Sequence, residues 1–216
     1  MPNFPWERRS YEFDVTAGVA DDGSKIITGR PIVYNSRTDI SGIFEEVILP
    51  GALNNADLRD VRFLVNHDRN MIPLARSRRN NGNSTMQFSV DDLGLRLDWV
   101  KLDVENNATS RALYSAVDRG DISGMSFRFS VRKDTWSRED TDYPLREIIE
   151  IASIAEVSAV TFPAYSATEI YARDTEDAAE AARALVETMR QEIRGASLES
   201  DLELLKLKTE ILSRSF

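Results

Sequence analysis

The chain has 216 residues, 42% of them hydrophobic, with a formal net charge of −9, a single histidine and no cysteine. That is enough apolar content for one sizeable domain with an appendage. The absence of cysteine excludes disulfides, thiol nucleophiles and cysteine-ligated metals, one histidine leaves a zinc site short of ligands, and the acidity opposes non-specific nucleic-acid binding. No metal or cofactor is expected, and no run reaches the ~18 apolar residues of a membrane helix. The start, Met1-Pro2-Asn3-Phe4-Pro5-Trp6, lacks a signal-peptide core, so the expected setting is soluble and cytoplasmic.

In chain order, strand signals cover Tyr11–Val19, Lys25–Tyr34, Phe44–Leu49, Val61–Asn66, Thr85–Val90, Gly94–Val100, Ser126–Lys133 and Arg146–Thr161, segments rich in Val, Ile, Phe and Tyr. Asp91-Asp92-Leu93-Gly94 reads as a hairpin turn. Two helices interrupt the strands. One is predicted from Pro50-Gly51 to about Arg59, and the other over Asn107–Arg119, stopping at Gly120. The fold class expected is mainly β with helices (α+β): a closed or nearly closed β-barrel flanked by helices over residues 1–172. From about Thr175 proline disappears and Ala, Glu, Leu and Arg dominate, so 173–216 is expected to be a helical C-terminal extension. There Leu198, Leu202, Leu205, Thr209 and Leu212 keep the 4-3-4-3 spacing of an a/d seam. An amphipathic helix packed on its own domain fits that pattern equally, as does one that docks on an assembly partner.

His67 is the side chain that titrates near neutrality without help. It ends the run Val61-Arg62-Phe63-Leu64-Val65-Asn66-His67-Asp68, where alternation puts Phe63, Val65 and His67 on one face. A lone histidine at a strand end is as readily structural, so its partners decide. In Gly124-Met125-Ser126-Phe127-Arg128-Phe129-Ser130-Val131, alternation places Met125, Phe127, Phe129 and Val131 on one face and Ser126, Arg128 and Ser130 on the other. Ser126 there is either a solvent-facing strand serine or a nucleophile, and the second role requires His67 within hydrogen-bond reach. Glu156 lies in a run apolar on both parities, which reads as a buried central strand. A carboxylate there needs a partner. Arg62 or Arg76 would make it structural; the ring N–H of His67 would make it the third member of a triad. Glu150 is a weaker rival near the start of the same strand.

An ordered set of segments resembles the prohead proteases of tailed bacteriophages: Ile27-Thr28-Gly29, Val33-Tyr34-Asn35, Phe44-Glu45-Glu46, Leu49-Pro50-Gly51-Ala52, Asn66-His67-Asp68, Asp92-Leu93-Gly94-Leu95, Ile122-Ser123-Gly124-Met125-Ser126-Phe127, and Glu156-Val157-Ser158-Ala159-Val160-Thr161-Phe162-Pro163-Ala164-Tyr165. The resemblance spans about Tyr11 to Tyr171. It implies a serine endopeptidase of capsid maturation with a barrel similar to the herpesvirus capsid-maturation protease. His67 would be its general base and Ser126 its nucleophile. The herpesvirus enzymes use a second histidine, which this chain lacks, and Glu156 takes its place in the expected triad. The implied partners are the major capsid protein and a scaffolding protein or scaffold domain, with the chain itself as a further substrate and a homodimer as one assembly state. The implied location is the assembling prohead in the host cytoplasm. Arg128 stands where the family often carries glycine. The competing function is a catalytically inactive capsid-assembly module, and a generic barrel ligand binder has no cofactor motif to support it.

Overall fold

The computed structural model describes residues 5–11, 15–161 and 172–213. Eleven strands and two helices follow in the order β1 (Trp6–Tyr11), β2 (Thr16–Val19), β3 (Lys25–Val33), β4 (Thr38–Ile40), β5 (Phe44–Ile48), β6 (Asp60–Val65), β7 (Ala75–Arg78), β8 (Met86–Asp91), β9 (Gly94–Leu102), α1 (Ala108–Asp118), β10 (Gly124–Ser137), β11 (Leu145–Val160) and α2 (Ala172–Ser213). The architecture is mixed α and β, mostly strands. One sheet has seven strands in the order β1-β10-β11-β5-β4, with β6 paired to β11 and β7 to β6; the other is four-stranded, β2-β3-β9-β8.

Neither sheet closes on itself among the described residues: β1 and β4 end one path, β2 and β8 the other. The closed or nearly closed barrel expected is therefore corrected: no closed barrel forms among the described residues, and the strands lie in two open sheets. Alternation reports which faces are apolar, but it carries no information about which edges meet.

The chain forms two compact units. The first comprises Met1–Arg37, Val47–Thr135 and Glu147–Glu169. Its core gathers Ile27, Ile32, Phe63, Met86, Leu95, Leu97, Met125, Phe127, Phe129, Ile148, Ile151 and Val157, with Leu113 and Val117 of α1 packed into it. Helix α1 forms where expected. Asn107 caps it by accepting from the N–H groups of Thr109 and Ser110, and Gly120 ends it at φ 78. The β8–β9 hairpin also forms. The Asp91 carboxylate accepts from Leu93 N and Gly94 N, and a Cβ on Gly94 would sit 2.1 Å from the Ile32 carbonyl oxygen.

The helix predicted over Pro50–Arg59 does not form. Gly51 stands at φ 85, and the segment folds as successive turns, Ala52 N to Leu49 O, Asn54 N to Gly51 O and Ala56 N to Leu53 O. Its remaining backbone groups are claimed by β11: Ile151 N donates to Ala52 O, Asp57 N to Ala152 O and Ile154 N to Asp57 O. Tertiary pairing has overridden local propensity here. Of the strand expected over Tyr11–Val19, β1 reaches Tyr11 and β2 covers Thr16–Val19, residues 12–14 lying outside the described residues; β4 and β7 form where no strand is expected.

The second unit comprises Thr38–Glu46, Trp136–Arg146 and Ile170–Phe216. Ala182, Val186 and Met189, spaced along one face of α2, are buried with Phe44. Glu46 accepts from the Arg146 guanidinium at 3.1 Å with both side chains nearly inaccessible, and Arg146 lies 5.7 Å from the centroid of Trp136, which meets Phe44 edge-on. Farther along α2, Leu198, Leu202, Leu204 and Leu205 are exposed. The side chains of Thr209 and Leu212 lie outside the described residues. No described helix is long and apolar enough to cross a membrane.

Candidate active site

His67, Ser126 and Glu156 come together inside the first unit. Strand β11 carries Glu156 and pairs in parallel with β6, Glu156 opposite Arg62 and Ala159 opposite Val65. This register sets the end of β6 opposite Ala159, three residues beyond Glu156 on β11. The strand does not extend to His67 as alternation implied: it stops at Val65, and Asn66 and His67 both take left-handed backbone, φ 50 and 58. Such conformations are uncommon outside glycine and need outside support. Asn66 receives it from the end of β11 and the residue after it, its N–H bonding Ala159 O, its Oδ1 accepting from Thr161 N at 2.9 Å and its Nδ2 donating to Thr161 Oγ1 at 3.0 Å. The turn is thereby fixed to the strand that bears Glu156, and the imidazole is aimed across the sheet.

The ring is then held at both nitrogens. Nδ1 meets Glu156 Oε1, and Nε2 lies 2.5 Å from Ser126 Oγ. Glu156 is 2% exposed, and its second oxygen accepts from Ser158 Oγ at 3.4 Å. The arginine partners considered for Glu156 are engaged elsewhere: Arg62 and Arg76 both bond Asp60. Glu150, the rival carboxylate, pairs with Arg132. A carboxylate, an imidazole and a hydroxyl in this order can pass a proton from serine to histidine, with the resulting imidazolium stabilised by the buried charge.

Ser126 is not a solvent-facing strand serine; it is fully buried. Its hydroxyl also donates to the Arg9 carbonyl oxygen at 2.8 Å. That residue belongs to β1, which pairs antiparallel with β10 from Trp6↔Ser130 to Tyr11↔Met125. Arg128, two residues beyond Ser126, sits 5.0 Å over the Trp6 ring. Partial burial, and then the guanidiniums of Arg69 and Arg8, push the Arg128 pKa down, with Glu156 acting in the opposite sense.

Three contributors were missed in the sequence. Ser158 had a usable signal, since it stands two residues after Glu156 on the same strand face. Asn66 was visible only as part of Asn-His-Asp. Arg9 acts through its main chain, which side-chain identity does not reveal.

A family profile described as caudovirus prohead serine protease matches residues 11–191. The chain is also 28% identical over 199 residues to the prohead protease of Enterobacteria phage HK97, covering 90% of this chain and 80% of that one. No solved structure gives a significant match. With the matched residues spanning most of its length, the chain belongs to the caudovirus prohead serine protease family, peptidases of capsid maturation.

Proposed function

We propose that this peptidase works by acyl transfer on a triad of Ser126, His67 and Glu156. The observation that carries the reading is the His67 ring, whose Nδ1 meets buried Glu156 while Nε2 faces Ser126 Oγ at 2.5 Å. Ser126 Oγ attacks the scissile carbonyl as His67 Nε2 takes its proton; His67 then protonates the departing amine, leaving an acyl-enzyme. Water repeats the sequence, giving its proton to His67 and releasing Ser126 with its hydroxyl restored. Glu156 holds the imidazole by Nδ1 and stabilises the cation formed in each half-reaction, and Ser158 holds the other carboxylate oxygen in place.

The substrates on this reading are the scaffolding protein or the scaffold-like extension of the major capsid protein, together with the chain itself, inside the assembling prohead. Family membership supports them. The exposed leucines of α2 support a role for that helix in bringing the protease to scaffold.

A fluorophosphonate probe, which captures activated serines covalently, tests the triad. The adduct is expected on Ser126 by peptide mapping and absent from the Ser126→Ala chain. An adduct on Ser123 would move the nucleophile. Complete lack of reaction by a folded chain that still supports assembly would favour the inactive assembly module.

A further inference from the structure

We propose that the edge of β10 from Met125 to Ser130 is the protease's peptide-binding site, that it takes an extended peptide strand, and that β1 fills it as an internal occupant that holds the enzyme latent. The inference rests on Ser126 being the nucleophile.

Proteins that bind extended peptides commonly add them as a strand to a sheet edge, with main-chain hydrogen bonds supplying affinity and alternate side chains specificity. The strand that carries Ser126 offers such an edge, and β1 is already on it, at the end of the sheet, with Ser10 opposite Ser126 and Arg9 opposite Phe127. A bound substrate would place a main-chain carbonyl at Ser126, and β1 does so with Arg9.

The contact also blocks the chemistry. A serine hydroxyl has one proton to donate. Given to the Arg9 carbonyl, it is withheld from His67 Nε2, so the base cannot activate the nucleophile until β1 leaves. Ser126 is at the same time sealed from solvent.

The composition of β1 suits a removable strand. On the face shared with Phe127 and Phe129, its side chains are Glu7 and Arg9, bonded to each other at 2.7 Å and each about one-tenth exposed or less. Release returns a charged pair to water, and buried ion pairs contribute little net stability. On the face shared with Ser126, the Trp6 ring lies against Arg128. A substrate strand in the same register would set an aromatic side chain there, three residues before the one whose carbonyl reaches Ser126. Arg128 thereby becomes the residue that selects for an aromatic group.

The test follows the rate of fluorophosphonate labelling in full-length chains. In one variant, Trp6→Ala with Arg8→Pro, the strand is loosened by removing the stack and a backbone N–H. In another, Trp6→Cys with Ser130→Cys, directly opposed positions carry the only cysteines of the chain and lock β1 in place once oxidised. The loosened chain is expected to label about tenfold faster than the native one, and the oxidised pair about tenfold slower than after reduction, because only the undocked population reacts. The free hexapeptide Trp-Glu-Arg-Arg-Ser-Tyr is expected to slow labelling of the loosened chain. Rates that agree within about twofold across all forms would overturn the proposal. If the loosened chain does not fold, the oxidised-against-reduced comparison decides alone. Failure of the triad reading is separable: it would show as undiminished labelling of Ser126→Ala.

Discussion

Two buried glutamates, each held by a basic side chain from a different part of the sequence, have opposite prospects in this molecule. Glu46 of the second unit ends at Arg146, a group that stays charged at any accessible pH, walled in by Trp136. Nothing in that pair can move a proton. Glu156 of the first unit ends at an imidazole, whose far nitrogen reaches a hydroxyl. On the proposed triad, burial alone does not make a carboxylate catalytic; what lies beyond its partner does.

Substitutions can break this contrast at either end. The largest effect is expected at Ser126→Ala, which should lower kcat about 10⁶-fold with an unchanged circular dichroism spectrum. Glu156→Gln keeps the shape but supports the wrong tautomer of His67, so kcat should fall roughly 10³–10⁴-fold in steady-state assays. Arg146→Met should behave differently. It strands Glu46 without its cation and should cost about 3–5 kcal/mol in urea unfolding while kcat of the folded enzyme holds. The double variant Glu46→Leu with Arg146→Met should recover most of that loss, whereas no apolar replacement should recover activity at Glu156.

Smaller effects sharpen the comparison. Asn66→Ala removes the bonds to Thr161 that fix the His67 turn, and kcat should fall roughly tenfold through misplacement of the ring. Asn66→Asp, which keeps the acceptor for Thr161 N–H, should restore part of it. The smallest effect concerns the exposed pair Asp57–Arg59. Hydrogen bonds from the Arg59 side chain, and then from its backbone N–H, lower the Asp57 pKa from 3.8 to about 2. The folded state binds this proton less readily than the unfolded one, so the contribution is complete above the unfolded value and disappears as pH falls through the folded one. Asp57→Asn should flatten a slight acid dependence of the urea midpoint between those values, leaving kcat alone.

How much of this was legible depended on whether a feature was local. Glu156 was readable as buried because its strand is apolar on both parities, and α1 was readable from Asn107 and Gly120. The environment of Ser126 was not. Alternation put Ser126 and Ser130 on the face opposite Phe127 and Phe129 and left a solvent-facing Ser126 open, yet both are buried, and their hydroxyls find partners from distant segments: Ser126 from His67 and Arg9, Ser130 from Ser153. The turn at Asn66-His67 was hidden for a related reason. No glycine marks it, and its left-handed backbone is held by Thr161, 95 residues away. The two open sheets were misread as a barrel because edge pairing is a property of the assembled chain. Phe162–Tyr165, which contributed to the resemblance, lies outside the described residues.

The most direct test of the central claim is intact-mass analysis of the capsid precursor and scaffold after co-expression with the native chain and with Ser126→Ala. The account predicts defined cleavage products with the first and uncut precursors with the second, both chains being folded. The same products appearing with Ser126→Ala would contradict it.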